Sequence, residues 1–373
     1  MSRLLRQVGG ILPAIVLLQL VVASCSNLAP VEPTQTPMAL PSDTPLPTAT
    51  TAPTAIATPT FTPSPMPTLD PDVIRTTVSD GQAGWVSRGV RPLCLQWHDT
   101  DGDGEPEWVG VYHQTGEKPQ LRAFVLDGDA WHDLFPLEKA KYGLGQYATC
   151  ELEVRDATGD GRVEILVWGY AETNTTLLHI FVWDGSGYTL VAPFEGPVGV
   201  RMEDRDGDLI DEVVLRYRME GDLVWEPVYT WDGSNYGWTW ERYGWFYPGR
   251  PHVYRTDTPE RAVIAFYLAL GDRDLPAAFG LLSGPAQANQ SYEAWVAGYA
   301  TTVAVEAGAV SQIESGEGSA TVACHVRAYD NIDGRVVSTL WDVKWTLVGS
   351  EAGWRLSSAA GTVLERREVA YYQ

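Results

Sequence analysis

The sequence is poor in positive charge. Lysine is scarce, and Lys and Arg together number 26 against 48 Asp and Glu, a formal net charge of −22. Nucleic-acid binding needs clustered cationic surface, so this balance excludes a nucleic-acid partner. There is no phosphate-loop motif and no spacing that pairs a nucleophile with a base. Histidine is sparse, and His325 is the only one between residues 256 and 373. Apolar runs long enough for a bilayer are also lacking: the longest, Ile11 to Ala23, is far short of the ~20 residues a spanning helix needs. What is plentiful is glycine (36), proline (25) and tryptophan (15), with 45% hydrophobic residues. That mixture predicts turn-rich β structure with acidic loops and enough apolar side chains for cores. The length of 373 residues allows two or three domains.

The N-terminus reads as an export signal. Arg3 and Arg6 precede the apolar run, which ends in Val22-Ala23-Ser24-Cys25. This ending resembles the bacterial lipobox, which implies a signal peptide over 1–24, lipidation of the Cys25 sulfur, and a chain held on the extracytoplasmic face of the cell membrane. An ordinary signal peptide with a coincidental cysteine is the alternative. Residues 25–71 follow as a Pro/Thr-rich tether without apolar periodicity or appreciable charge, a composition that cannot bury enough surface to fold. In polyproline II it would reach on the order of 100 Å.

Beyond the tether an acidic loop recurs three times, as "HDTDGDGEPEW", "RDATGDGRVEI" and "EDRDGDLIDEV". Aligned on the first aspartate, position 1 is Asp99, Asp156 and Asp204; position 3 is Asp101, Thr158 and Asp206; position 5 is Asp103, Asp160 and Asp208; position 9 is Glu107, Glu164 and Glu212. Oxygen side chains at alternate positions of a tight turn converge on one point, the arrangement a hard cation such as calcium requires. Position 12 holds Gly110, Val167 and Leu215 where an EF-hand would need an acid, so an EF-hand is excluded. The competing account is a set of Asx turns that need no metal. It weighs more in the second loop, where Thr158 is a weaker ligand, and in the third, where Leu209 replaces a glycine.

Downstream of each loop lies an apolar strand ending in an Asp-Gly turn and an aromatic: "FVLDGDAW", "FVWDGSGY" and "YTWDGSNY". These predict hairpins, and "SDGQAGW" ahead of the first loop reads as a further copy. Loop plus hairpin gives four short strands per unit, the size of a propeller blade. Over residues 72–250 the pattern resembles the FG-GAP or VCBS-type repeats of integrin α-subunit propellers and bacterial surface proteins. The resemblance implies calcium bound within each loop. Full propellers of that family usually have seven blades, and this chain has three plus a leading copy, so a small four-bladed ring closed near Trp238–Phe246 and an open array both remain open. The aromatic segment Tyr229–Tyr247 offers either a sugar-stacking surface or, on burial preference, a β core or domain seal.

From Thr258 the period becomes helical, with Thr258 as N-cap, Pro259 at the first position, and Val263, Phe266, Tyr267 and Leu270 on one face. Two shorter helical stretches and four long alternating strands follow, an α+β arrangement. Residues 256–373 resemble the nuclear-transport-factor-2-like (SnoaL-like) cone fold, whose members include isomerases, cyclases and non-catalytic accessory domains. Catalytic members tend to place an Asp–His pair in the cone. Here His325 sits on the strand face opposite Val322, Cys324 and Val326, and Asp330 and Asp333 read as turn residues. Export permits a disulfide between Cys94 and Cys150, but they lie five and six residues before their loops, a parity that points them to opposite faces of regular strands.

The expected fold is thus multidomain, an all-β propeller-like repeat domain followed by an α+β cone, after a lipoprotein signal and a linker. The expected function is a membrane-anchored, non-catalytic, calcium-stabilised module for a polysaccharide, protein or other ligand. An extracytoplasmic enzyme of isomerase, cyclase or hydrolase type with its site in the cone, or a cell-wall assembly accessory, are the alternatives.

Overall fold

The computed structural model describes residues 82, 84–172, 174–205 and 207–370. The leader, Cys25, the tether and Asp206 lie outside the described residues. The chain is mostly β, in four antiparallel sheets of four strands whose order follows the sequence. The first holds β1 (Pro92–His98), β2 (Glu107–Gln114), β3 (Gln120–Asp127) and β4 (Ala130–Leu134). The second holds β5 (Leu152–Arg155), β6 (Glu164–Ala171), β7 (Thr175–Trp183) and β8 (Tyr188–Gly196). The third holds β9 (Gly199–Glu203), β10 (Glu212–Arg218), β11 (Leu223–Trp231) and β12 (Tyr236–Trp245). Each acidic loop joins the first two strands of its sheet, and each Asp-Gly turn joins the last two or precedes the last strand.

Successive sheets stack through alternate residues of the same strand. Ile165 and Val167 on β6 pack with Val109, Val111 and Val125 of the first sheet, whereas Leu166 packs with Val213 and Leu215 of the third. A strand buried on both faces needs apolar residues at consecutive positions, which is why β2, β6 and β10 read as continuous apolar runs. Each fully buried Val, Leu or Phe contributes roughly 1.5–3 kcal/mol over its exposed state. The first sheet's far face, with Phe124 and Leu126, is covered by Trp85 and Val90. Trp85 stands edge-on to Trp108 at 5.8 Å. Residues 84–86 are helical, while Ser79, Asp80, Gly81 and Ala83 of the leading "SDGQAGW" copy lie outside the described residues. Its tryptophan packs on the far face of the first sheet.

The C-terminal region begins with α1 (Pro259–Gly271), whose Thr258 cap accepts from the Arg261 amide at 3.3 Å. Then come α2 (Leu275–Gly280), α3 (Gly284–Ala288) and α4 (Tyr292–Ala297), one short helix more than the sequence pattern predicts. Each is capped by its own Asp or Ser: Asp274, Ser283 and Ser291. The helices pack on a sheet of β13 (Thr302–Gly316), β14 (Ser319–Ile332), β15 (Arg335–Ser350) and β16 (Gly353–Val369), with Val263, Phe266 and Leu270 in one core with Val322, Cys324 and Val343.

An ion network joins the third sheet to the C-terminal one. Glu226 on β11 accepts from Arg242 at 2.7 Å, Arg216 at 2.8 Å and Arg201 at 3.1 Å. Arg242 also reaches Glu203 at 2.9 Å and Glu306 of β13 at 3.1 Å, and Arg205 pairs with Glu306. Burial alone would raise the Glu306 carboxyl, but the attraction of Arg205 and Arg242 outweighs it and draws the value down to about 2. The aromatic segment divides between this junction and the core of the second and third sheets, where Tyr229 and Tyr236 pack on Phe194. Trp240 is buried and donates to Glu306 at 3.1 Å, while Trp245 stacks on His252 at 4.0 Å and donates to Asp272 at 2.8 Å. Trp238 is the most exposed aromatic of the segment, at 62%, and Tyr247 at its end is exposed as well.

Cys94 and Cys150 form a disulfide, with Cα atoms 5.4 Å apart. The parity argument fails because neither residue sits in an uninterrupted strand. The β1 register shifts between Pro92 and Cys94, and Cys150 precedes β5 altogether. The bond clips the first sheet to the second across a separation of 56 residues. Loop-closure entropy for such a span is about 4 kcal/mol. Cys94→Ser with Cys150→Ser is expected to lower unfolding free energy by a few kcal/mol in denaturant titrations, and a reducing agent should do the same to the native protein.

Candidate functional site

The three acidic loops share one hydrogen-bond plan. At position 1, Asp99, Asp156 and Asp204 each accept the position-4 glycine amide on one oxygen, at 2.8, 2.6 and 2.7 Å. The other oxygen takes the position-6 amide of Gly104, Gly161 or Leu209 at 3.0, 3.0 and 3.1 Å. At position 5, Asp103, Asp160 and Asp208 accept the amide two residues on. Positions 4 and 6 are left-handed in every loop, which glycine adopts freely. Leu209 does so at φ 71° with its side chain 74% exposed.

Position 9 is the buried anchor. Glu107, Glu164 and Glu212 are the first residues of β2, β6 and β10, each 5% exposed or less, and each is paired across the sheet with the residue before its loop. Each carboxylate reaches back to the position-2 amide: Thr100 at 2.6 Å, Ala157 at 2.8 Å and Arg205 at 2.9 Å. Burial pushes the Glu107 and Glu164 carboxyls above their ordinary values, only partly offset by the Thr100, Ala157 and Thr158 hydrogen bonds. In the first loop the Asp101 and Asp99 charges push the same way.

The loops differ in how the remaining acid charge is met. In the first, Asp99, Asp101, Asp103 and Glu107 bring ligand oxygens within 4.8 Å of one another, a group that could hold a metal ion. It is the one such group among the described residues. In the second, Thr158 is buried and turns its hydroxyl onto Glu164 at 3.2 Å. Asp160 there is engaged by the Arg162 guanidinium at 2.8 and 3.1 Å. Burial acts to raise the Asp160 carboxyl, but Arg162 holds it below the usual range. In the third loop Asp208 and Glu212 lie in the shared plan, with Asp206 outside the described residues. Each loop also touches the next unit. Thr100 and Tyr188 hydroxyls meet at 2.5 Å, the Asp211 amide donates to the Ala157 carbonyl at 3.0 Å, and the Arg205 side chain reaches Glu306.

A second site lies between helices and sheet in the C-terminal region. A cavity of about 280 Å³ is walled by Phe266, Tyr267, Trp295, Tyr299, Trp341 and Trp345, with Asp330 among its lining residues. Asp330 is therefore not a turn residue: it lies within β14, paired with Thr302, and its Oδ1 accepts from the Thr302 hydroxyl at 2.7 Å. His325 stands opposite Asp342 in the register, on the strand face away from the core residues Val322, Cys324 and Val326. Tyr267 accepts from the Trp345 indole at 3.0 Å, and burial raises the Tyr299 phenol to about 12.

His179, which the sequence pattern gave no reason to single out, is buried on β7 at 3% exposure with no hydrogen-bond partner for Nδ1. It occupies a position that the strand's alternation assigns to an apolar residue, stacked near Phe181. Burial lowers its imidazole from 6.5 to about 4.

No known protein family matches the chain, and no curated protein matches it significantly in sequence.

The unfolded chain binds a proton at His179 near pH 6.5, whereas the folded chain does so only near 4. Between these values the unfolded state carries more protons, so stability falls as pH drops, by up to roughly 3 kcal/mol. His179→Phe is expected to flatten the dependence of melting temperature on pH across that window, as followed by circular dichroism.

Proposed function

We propose that the protein is an exported, lipid-anchored binding module, in which calcium-stabilised, propeller-like repeats carry a cone-shaped C-terminal domain whose cavity receives a ligand. The observation that carries this reading is the C-terminal cavity, whose walls are aromatic and whose one carboxylate, Asp330, is engaged by threonine hydroxyls. Acid–base catalysis needs at least two polar groups set against the same reacting atom. The candidate pair His325 and Asp342 lies on the other face of the sheet from the core. That placement favours binding over catalysis.

Three stacked four-stranded meanders, each opening with an acidic loop, support the blade-like reading of the repeats. For the metal, the oxygens of Asp99, Asp101 and Asp103 fit a hard divalent cation, and such an ion would counter the burial and the added Asp101 and Asp99 charges that raise Glu107. A disulfide between the first two sheets suits an oxidising compartment outside the cytoplasm. No helix among the described residues is long and apolar enough to cross a membrane, and the proposed attachment runs through lipid on Cys25. Trp238 and Tyr247 are the exposed aromatics of the Tyr229–Tyr247 segment that could meet a polysaccharide.

Calcium at 100 times its dissociation constant stabilises a native-only site by about 2.7 kcal/mol. Melting temperature is expected to rise with calcium and fall with chelator, and the difference should vanish in Asp101→Asn with Asp103→Asn. An unchanged melting curve with and without chelator would overturn the metal reading. Cys25→Ser is expected to move the protein from the membrane fraction to the soluble exported fraction; retention in the membrane would contradict a lipid anchor.

A further inference from the structure

We propose that the C-terminal cavity takes a small organic monocation with a flat apolar body, such as a one- or two-ring amine. This rests on the reading of that cavity as a ligand site and names the class of molecule that fits it.

The charge of the lining is one-sided. Among its residues Asp330 is the only acid, and there is no lysine, arginine or histidine. The carboxylate is held from one side only. Its Oδ1 accepts from Thr302 Oγ1 at 2.7 Å and from Thr301 Oγ1 at 3.3 Å. The Asn331 amide donates to the Thr301 carbonyl at 2.8 Å, which fixes this strand end against the α4–β13 connection. The two hydroxyls position the carboxylate without neutralising it. Among the described residues no cation pairs with Asp330, the nearby Arg273 guanidinium being held on the Thr302 and Tyr299 carbonyls at 2.8 and 3.3 Å. A half-buried carboxylate in that state is stabilised by a cation that a ligand brings.

The walls suit the rest of such a ligand. Phe266, Tyr267, Trp295, Tyr299, Trp341 and Trp345 supply ring surface around the cavity. Rings present a negative face, which attracts organic cations as well as apolar bodies. Trp345 is locked by its bond to the Tyr267 hydroxyl at 3.0 Å and by edge-on packing against Phe266 at 5.3 Å, so the aromatic wall is set before a ligand arrives. Gln290, Ser357 and Ser358 add neutral polar groups that can orient a ligand without opposing its charge. A divalent metal would need six to eight oxygens, which one carboxylate among aromatics does not supply. An anion would meet Asp330 with no compensating base. A volume of about 280 Å³ limits the ligand to a small molecule. The chain's formal charge of −22 raises the local concentration of cations around the whole protein.

The test is isothermal titration of the full chain with three related indoles: tryptamine as the cation, 3-ethylindole as its uncharged analogue without the amine and indole-3-propionate as the anion. Tryptamine is expected to bind about tenfold more tightly than 3-ethylindole, with indole-3-propionate weakest. Asp330→Asn keeps an oxygen for the Thr301 and Thr302 hydroxyls, so it should leave 3-ethylindole binding unchanged and bring tryptamine to within about threefold of it. Ala359 also lines the cavity, and Ala359→Phe, which narrows it, should weaken all three together; if that variant does not fold, the Asp330→Asn comparison decides. Equal binding of the three indoles, or a tryptamine preference that survives Asp330→Asn, overturns the monocation and leaves the cavity as a ligand site. Binding of none of the three, or binding untouched by Ala359→Phe in folded protein, overturns the cavity reading together with the proposal.

Discussion

A buried glutamate at the start of a strand governs the repeat half of this molecule. Glu107, Glu164 and Glu212 are placed in the interior by strand pairing, and there a carboxylate must find donors or lose several kcal/mol of solvation. The donors they find are backbone amides seven residues earlier, so the loop must fold back over the glutamate. In the first loop that return brings the oxygens of Asp99, Asp101, Asp103 and Glu107 within 4.8 Å of one another. The loop's capacity for a cation is thus a consequence of how the next strand begins.

The same plan has been given different electrostatic endings. The first loop leaves four carboxylates clustered, the second substitutes Thr158 and answers Asp160 with Arg162, and the third sends Arg205 to Glu306 in the C-terminal sheet. An internal guanidinium beside a carboxylate does part of what a bound ion would do, at the cost of tying the loop to one neighbour. Charge compensation therefore shifts along the repeats, from a cluster of acids alone, to an arginine within the loop, to an arginine that binds the next structural unit. The junction beyond carries this further, with Arg242 shared among Glu203, Glu226 and Glu306.

Local chemistry was legible wherever the signal was short in range. The three loops, the Asp-Gly hairpins and the Thr258-capped helix all depend on contacts within a few residues, and their patterns could be read directly. Of the leading "SDGQAGW", the described part shows Trp85 in a short helical turn against the first sheet, a long-range contact that the local pattern does not encode. The Cys94–Cys150 bond was hidden by a register shift in β1 and by Cys150 falling short of β5, since parity counts only along regular strands. His179 carried no signal, because a histidine in an apolar strand is seen as buried only once sheets cover both faces.

The sequence by itself determined the elements: where acidic turns fall, which strands are buried on both faces, where the period changes from two to 3.6, and that the surface is strongly acidic. These follow from hydrogen bonds and side-chain alternation that act over a few residues. Tertiary structure alone decided which carboxylates converge, that Asp330 borders an aromatic cavity while His325 faces away from its core, and that Arg205 and Arg242 lock the third sheet to the fourth. Those outcomes depend on the stacking of sheets and helices far apart in the chain, where burial and the distance between charges are set by packing rather than by spacing along the backbone.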